Sequence, residues 1–458
     1  MTLRLTSLAQ GHGEQGRRGR PSRTMNRFGG TGWRLALLLN LFALSSPSAQ
    51  AESEHPEEPT PQEVTLDHLI QQVLLKNPGV QAKKRAYEAA RARVISAWLP
   101  EDPEIGVDVE GQPGLFQFSK RTDLEYTVSQ TIPFPTKLIF RGQVAMREAE
   151  IAYQRYKEEE RDAVWHMEQP FYELYLTKKT LAALREIRAL LEKLSNSVQT
   201  RYESNTASQQ DLLKANIELS KVDIEIFQTQ QQEHLAEAHV SHLLNQSLET
   251  RYSLPEEQSS PTLAWSRSDL ERLALRTRPE LQAVAVGIKR AKTSRVLAAT
   301  NWLPDIIGRI EARQFRGESG IRERDTFIGV TVPVWSLVKG VGGEWKAATR
   351  DVEAAEAEYE EMKNEVLLSI HEAYAKAKSA EHALNVYEQF TLLQAKQQVE
   401  VALASYEAGT IDFLNLIDAQ RMLKDAQLAY YKFKADHELG LSNLRLAVGG
   451  PLQVTSDQ

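Results

Sequence analysis

The chain of 458 residues carries a formal net charge of -7, with 7% aromatic residues and a mean hydropathy of -0.43. This composition is lean for two globular cores and typical of long helices. Because the chain has no cysteine, disulfides, thiolate metal sites, a cysteine nucleophile and lipid attachment at an N-terminal cysteine are excluded.

The first 51 residues have the pattern of a secretory signal peptide. Two arginines precede an apolar run from Leu35 to Leu44, and Ala49-Gln50-Ala51 supplies the small residues for cleavage after Ala51. Such a run is too short to cross a bilayer as a helix, which needs about twenty residues. Met25 would also begin a signal peptide of ordinary length. Cleavage would leave 48 basic and 61 acidic groups, a balance that disfavours nucleic acid as a partner.

Residues 52–63 are rich in Glu and Pro and lack apolar side chains to bury, so we expect a disordered leader. No later stretch has eighteen uninterrupted apolar residues. If this exported chain enters a membrane, it must do so as strands, because only helices and closed barrels satisfy the backbone in lipid.

A first unit is predicted over residues 64–254. It begins with a helix capped at Thr65 or Asp67, and a second helix runs from about Pro78 to Trp98. Two stretches of alternating apolar residues, at about 104–110 and 123–132, predict strands joined by a turn-rich loop. A long helical hairpin follows over 137–248, and its first helix is expected to span about 100 Å and to bend at Pro170.

A second unit over 266–449 repeats this order after a linker at 255–265, and residues 450–458 form a tail. Trp302-Leu303-Pro304 echoes Trp98-Leu99-Pro100. The predicted strands lie at about 305–313 and 325–332, and the helical hairpin covers 345–447. The fold class is therefore mainly α with a small β part, built as two tandem repeats. Four strands cannot close a barrel, which needs about eight, so the open edges predict an oligomer.

The turns of the two hairpins are copies of each other. The stretch from Tyr406 to Gln420 matches an earlier one that begins at Tyr202, with identical residues at a constant offset of 204. Gly409 is expected to supply a left-handed backbone at the end of the incoming helix, and Asn205 to do so less comfortably. Together with Thr410 and Thr206, these residues form the predicted tip turns, which would be exposed to a partner.

Taken together, these features resemble the outer-membrane efflux protein (TolC-like) family over residues 64–449. The resemblance rests on the export signal, the two halves, the strand pairs ahead of long hairpins, and the tip pattern Tyr-x-x-Gly-Thr…Leu-x-x-Ala-Gln. It implies a homotrimer with a 12-stranded β-barrel in the outer membrane, continued by an α-helical periplasmic tunnel. It also implies a periplasmic adaptor and an inner-membrane transporter as partners. Such a protein is a passive exit duct for efflux or type I secretion, without enzymatic activity or cofactor.

The resemblance also assigns roles at the second tip, where family members are closed by a side-chain network and narrowed by two acidic rings. Tyr406 falls on the network tyrosine and Asp418 on the inner acidic position. Asn415 falls on the other acidic position and departs from the family pattern. Three copies of Asp418 around an axis would favour cations at the entrance. Alternatively, Asp418 is a solvated carboxylate near a helix start.

A second departure from the family pattern concerns the expected lock between the hairpins. Ile411 stands where an arginine would pair with the first-tip aspartate, which here is Asp211. An Arg-to-Asp lock between these positions cannot form. The tip could instead close through a hydrogen bond from Tyr406 to Asp211, or through packing of Ile411 and Phe413.

The strands are predicted to separate a lipid-facing side from a lumen-facing side. Arg309, Glu311 and Arg313 would face the lumen, and the loops 111–120 and 315–324 would be extracellular lids. The alternative, without a role in the membrane, is a soluble strand pair packed on helices. The residues predicted to face lipid are apolar or aromatic: Ile105, Val107, Val109, Tyr126, Val128, Ile328, Val330 and Val332.

No residue pattern points to catalysis or to metal binding. His239 and His242 are three residues apart on one helical turn, but solvated or packed histidines are the favoured interpretation. The main alternative function is an exported coiled-coil scaffold or adaptor of the periplasm that does not enter the membrane. The two hairpins, each following a strand pair, favour the duct.

Overall fold

The computed structural model describes residues 62–111, 123–254, 263–332, 334 and 343–450. The predicted signal peptide and most of the predicted leader lie outside the described residues. So do most of the first strand loop, residues 255–262 of the linker and residues 451–458 of the tail.

Long helices form most of the described chain, together with a small β part of one four-stranded sheet and one two-stranded pair, as the fold class predicted. The first half contains α1 (Leu66–Lys76), α2 (Pro78–Ala97), α3 (Pro135–Glu203) and α4 (Gln209–Leu243). The second half contains α5 (Arg267–Thr277), α6 (Pro279–Thr300), α7 (Trp345–Val386), α8 (Leu392–Glu407) and α9 (Phe413–Val448).

Local capping explains where the first helices begin. The Thr65 hydroxyl accepts from the His68 N–H, so Thr65 caps α1, and Pro78 opens α2 at a position where proline costs no hydrogen bond. Helix α3 likewise opens at Pro135 and continues for 69 residues, or about 100 Å. Pro170 lies inside α3 without ending it, and the bend expected there stays a prediction.

Two expectations for the first half were wrong at their boundaries. Helix α4 ends at Leu243 instead of Leu248, because Asn245 adopts a φ of 53° and the Gln246 N–H donates to the carbonyl of Ser241. The leader is also shorter than predicted. Gln62–Glu63 forms β1, which pairs in parallel with β4 (Tyr252–Ser253).

The incoming helix of the second hairpin is interrupted, which the sequence did not predict. A π-helical turn at Tyr387–Thr391 separates α7 from α8. The Tyr387 ring lies 4.9 Å from the Phe433 ring of α9. Helix α9 ends at Gly449, which has a φ of 85° that favours glycine.

The two strand pairs join into one antiparallel sheet of four strands. The strands are β2 (Glu104–Glu110), β3 (Asp123–Ile132), β5 (Ile306–Phe315) and β6 (Glu323–Val330), in the order β2-β3-β5-β6. The second pair was predicted at about 305–313 and 325–332, so β6 ends two residues early. Strand β6 ends there because the Thr331 hydroxyl accepts a hydrogen bond from the Asp305 N–H at 2.8 Å. Val332 is therefore not a strand residue.

The register gives the sheet one apolar face and one charged face. Val107 lies opposite Tyr126, and Ile310 lies opposite both Val128 and Thr326. Ile328 lies on the same face and is 79% exposed. An apolar sheet face without a covering layer needs an apolar environment, since burial of such surface is the main stabilising term in a sheet.

In the part of the chain that the structure describes, buried apolar residues form three clusters along the helices instead of one globular core. One joins α1, α3 and α4, and a second joins α5, α7 and α9. The third lies between the hairpins near their tips. The halves are also linked by polar contacts, since Trp165 donates to Asn443 and Arg445 lies 2.8 Å from the buried Glu168.

Candidate functional site

Both hairpin tips are built from the same turn. Asn205 and Gly409 end the incoming helices with φ values of 58° and 75°, the left-handed backbone predicted at these positions. Thr206 and Thr410 follow, and the N–H of each donates to a carbonyl five residues back, at 2.7 Å and 2.9 Å. Each threonine hydroxyl donates to the same carbonyl as its N–H. The tip threonines therefore close the ends of the helices.

The returning helices begin with matching caps. In α4 the Ser208 hydroxyl and the Asp211 carboxylate satisfy each other's backbone N–H groups. In α9 the Asp412 carboxylate accepts from both the backbone and the side-chain N–H groups of Asn415, at 3.1 Å and 2.7 Å. Asp211 and Asn415 thus hold equivalent positions three residues after the cap.

Tyr406 is buried at the second tip, whereas its copy Tyr202 is 40% exposed. The Tyr406 ring packs on Phe413 at 5.8 Å, and the Arg201 guanidinium lies over the ring at 4.7 Å. Ile411 packs against the same cluster. Ile411, Phe413 and Tyr406 therefore pack together at this tip, and the role of this packing in closure stays a prediction.

The proposed hydrogen bond between Tyr406 and Asp211 is not part of this arrangement. The Asp211 carboxylate is bound by Ser208, whose hydroxyl lies 2.7 Å from it. The cap of α4 therefore uses the Asp211 carboxylate, the group to which the family resemblance assigned a role in closing the tip.

Asp418 lies near an arginine that links the two hairpins. Arg421 donates to Glu218 of α4 through two nitrogens, at 2.5 Å and 3.1 Å, and its third nitrogen lies 3.3 Å from Asp418. The Glu218 side chain is 12% exposed, and the hydrogen bonds from Arg421 and Lys221 lower its pKa to about 2. Glu218 is therefore charged at any physiological pH and holds Arg421 against α4.

A second ion pair joins the same two helices farther from the tip. Lys424 lies 2.8 Å from Glu225 of α4, and its side chain is 19% exposed. Sequence reasoning missed both pairs. The sequence signal for these pairs is the spacing of charged residues on the two returning helices. Glu218 and Glu225 are seven residues apart on α4, and Arg421 and Lys424 are three residues apart on α9.

A groove of about 520 Å³ opens between α3 and α8 beside the second tip. Its sides include Lys193 and Arg201 from α3 and Tyr406 and Glu407 from α8. Arg201 and Glu407 thus bring both charge signs to the groove at the hairpin ends.

The predicted lumen residues share the charged face of the sheet. Arg309 lies 3.2 Å from Glu311 on the same strand, and Arg313 lies 3.1 Å from Glu125 on β3. The register sets these residues opposite to the apolar face that carries Val128 and Ile310.

The described residues include neither a metal-binding cluster nor a helix suited to cross a membrane. No group of three or more His, Asp or Glu there has the geometry to hold a metal ion, and His239 and His242 lie in no such group. Within the same residues, no helix combines the length and the apolar character needed to cross a membrane.

Residues 270–450 match the family model described as "Outer membrane efflux protein". No curated protein sequence matches the chain. Solved structures do match. The outer membrane protein VceC from Vibrio cholerae has a TM-score of 0.69 and 16% identity, covering 84% of this chain and 96% of that chain.

Two further channels have the same likeness. The CmeC outer membrane channel of Campylobacter jejuni has a TM-score of 0.71 and 14% identity, covering 86% of this chain and 87% of that one. The MtrE outer membrane channel of Neisseria gonorrhoeae, in its open state, has a TM-score of 0.68 and 13% identity, covering 84% and 89%. The shared architecture spans nearly all of these channels.

Proposed function

Because residues 270–450 match the outer membrane efflux protein family model and the whole fold resembles solved outer membrane channels, we infer that this chain is the outer-membrane exit duct of a tripartite efflux pump. The observation that carries this inference is a sheet with one exposed apolar face set at the base of two very long helical hairpins. The family consists of channels, which are not enzymes.

We propose that three copies close a 12-stranded barrel. Strands β2 and β6 are the edges of the four-stranded sheet, and open edges must be paired in a stable membrane structure. Strand β3 has ten residues, which at about 3.3 Å each and a tilt of about 40° span roughly 25 Å, the height of an apolar barrel band. Val128 and Ile328 would face lipid, and Arg309, Glu311 and Arg313 would face the lumen.

The repeated hairpins would then form the periplasmic tunnel. The element order helix, helix, strand, strand and hairpin occurs twice in the chain, which supports two tandem repeats. A tunnel wall about 100 Å long follows from the length of α3. The location would be the cell outer membrane with a large periplasmic extension.

The hairpin tips are the proposed gate. In the closed state, packing of Tyr406 with Phe413 and Ile411 holds the second tip, and the pairs from Arg421 to Glu218 and from Lys424 to Glu225 hold α9 against α4. Asp418 and Asn415 would line the constriction at the axis. Because Arg421 pairs with both Asp418 and Glu218, it would partly offset the charge of an Asp418 ring.

The energy for transport must come from partners. We propose that a periplasmic adaptor contacts the tip turns at Gly409, Thr410, Asn205 and Thr206, and that an inner-membrane transporter drives the assembly. The groove beside Tyr406 offers such an adaptor a surface with both charge signs, from Lys193, Arg201 and Glu407.

The proposal is tested by purification in detergent and reconstitution in planar bilayers. A trimer that conducts ions supports the duct. A soluble monomer that needs no detergent would instead support the periplasmic scaffold. Neighbouring residues of β3 give a matched pair, since Val128→Arg would place a charge on the lipid side and Thr127→Arg on the lumen side. Only the first should abolish membrane assembly.

A further inference from the structure

His437 is a buried titratable residue that the proposed gate does not use. It lies on α9 at 2% exposure, and neither ring nitrogen has a hydrogen-bond partner among the described residues. A buried polar group without a partner costs stability, and a buried charge costs far more. The neutral imidazole is therefore tolerated here, and its charged form is not.

The position is fixed by close helix packing on both sides. One turn toward the tip, Phe433 packs on Tyr387 of the π-helical turn. Toward the other end, a Cβ added at Gly440 would lie 3.0 Å from the Ala377 Cα and 3.3 Å from its Cβ. Phe433, His437 and Gly440 thus form one stripe of α9 that faces α7 and the π-helical turn. Water has little room to reach the imidazole.

The charged groups around His437 are already bound elsewhere. On α7, Glu381 accepts from Lys378 at 2.6 Å through one oxygen and from the Leu263 N–H at 3.2 Å through the other. On α9, Glu438 lies 4.0 Å from His437 Nδ1 and accepts from the Tyr172 hydroxyl of α3 at 3.3 Å. No carboxylate among these is at hydrogen-bond distance from the ring.

Burial lowers the pKa of His437, Lys378 adds to this, and Glu438 and Glu381 oppose it in part. The unfolded chain would bind a proton with a pKa of about 6.5. Because the folded pKa is the lower one, His437 does not reduce the free energy of unfolding above about pH 6.5. Below that pH it reduces the free energy of unfolding progressively, until the pH reaches the folded pKa. The ratio of folded to unfolded hairpin would fall by up to about tenfold per pH unit in that window.

We propose that His437 makes the second hairpin an acid-sensitive joint, in which protonation separates α9 from α7 at the π-helical turn. The turn departs from the α-helical hydrogen-bond pattern of α7 and α8 on either side of it. The loss of stability in acid does not depend on the proposed function. A rise in channel opening is also expected in acid, and this part of the proposal rests on the proposed function.

The test compares His437→Leu with His382→Gln in the purified full-length protein. Leucine has nearly the volume of histidine and cannot be protonated, and His382 is an exposed residue of α7. Thermal unfolding is recorded between pH 7.5 and 5.0. The wild type and His382→Gln should lose stability below about pH 6.5, and His437→Leu should lose clearly less. Equal loss in all three proteins would overturn the proposal.

A second measurement uses the wild type alone, in case the leucine variant does not assemble. Deuterium exchange at the histidine C2 position, read by mass spectrometry, reports the pKa of each histidine. His437 should exchange slowly and titrate below His382, and titration at or above His382 would overturn the proposal. If reconstituted channels conduct but their open probability is unchanged between pH 7.5 and 5.5, the coupling to opening fails while the duct stands. If no conductance is seen, the duct fails while the stability result stands.

Discussion

Replacing Arg421 by Gln should open the proposed gate, because it removes the strongest contact between the returning helices near the tips. Arg421 donates two hydrogen bonds to Glu218, whose side chain is 12% exposed. Glutamine keeps most of the length of the side chain but cannot supply the charge or the paired donors. Glu218 would then be left with Lys221 as its nearby cation, on its own helix.

The size of the effect follows from the pKa of Glu218, which is lowered to about 2 by hydrogen bonds from Arg421 and, to a smaller degree, from Lys221. The free-energy equivalent of lowering the Glu218 pKa from 4.5 to about 2 is about 3 kcal/mol. The Arg421 side chain is 46% exposed, so solvent screens part of this, and Lys221 retains another part. We therefore expect the loss of Arg421 to cost about 1 to 2 kcal/mol of closed-state stability, or roughly a 5- to 30-fold rise in the open-to-closed ratio.

The assay is single-channel recording in planar bilayers, with Arg188→Gln as the matched control. Arg188 also pairs with an acid on α4, since it lies 2.6 Å from Asp223. That pair joins α3 to α4 within the first hairpin, so its loss should leave the contact between hairpins intact. The effect of Arg421→Gln should also shrink at 1 M salt, where the Debye length is about 3 Å.

The pH dependence has a definite sign. Because the folded pKa of Glu218 is depressed, the Arg421–Glu218 pair contributes fully to the stability of the closed state above about pH 4.5. This contribution is lost only as the pH falls through about 2. The reasoning is refuted if Arg421→Gln and Arg188→Gln open equally often at neutral pH and low salt.

Three further changes test other parts of the structure. Asp418→Asn should reduce cation preference in bilayer recordings, and unchanged selectivity would favour a solvated helix-start carboxylate. Gly409→Ala should lower the free energy of unfolding by about 1 kcal/mol, because the φ of 75° at this position strains any residue with a Cβ. Thermal unfolding measures this, and Gly287→Ala, where a Cβ on α6 would meet no neighbour, should cause no such loss. Asp305→Ala should destabilise the protein by about 3 kcal/mol or more, since Lys137, whose side chain is 7% exposed, would lose its 2.7 Å partner; chemical denaturation that shows less than 1 kcal/mol would contradict this.

Much of the fold could be predicted because local signals specify it. Strands β2 and β3 occupy the residues where apolar side chains alternate, and Pro133 follows the last residue of β3. Gly409 and Asn205 mark the helix ends through their backbone conformation alone. The end of α4 was missed because Asn245 stands in a stretch without glycine or proline, so its left-handed backbone had no strong signal. The π-helical turn was missed because the helical side-chain pattern continues through Tyr387–Thr391.

The candidate site was less predictable, because it depends on how one hairpin is rotated against the other. Glu218 and Arg421 are 203 residues apart in the chain, and no local pattern states which faces of α4 and α9 meet. Asp211 shows the reverse case, in which a local partner is plain from the sequence. The serine at 208 binds its carboxylate, and the role in closure that the family resemblance gives Asp211 stays a prediction.

The central pairing of the sheet has a consequence for the order of folding. Asp123 of β3 pairs with Phe315 of β5, so the whole first hairpin and helices α5 and α6 lie between the two strands in the chain. Loop closure over that distance is slow compared with the formation of local helical contacts. The first strand pair must therefore wait, as a marginal two-stranded unit with an apolar face, until the second pair has been made. Its apolar face is exposed during that interval, which makes the unassembled protomer prone to aggregate.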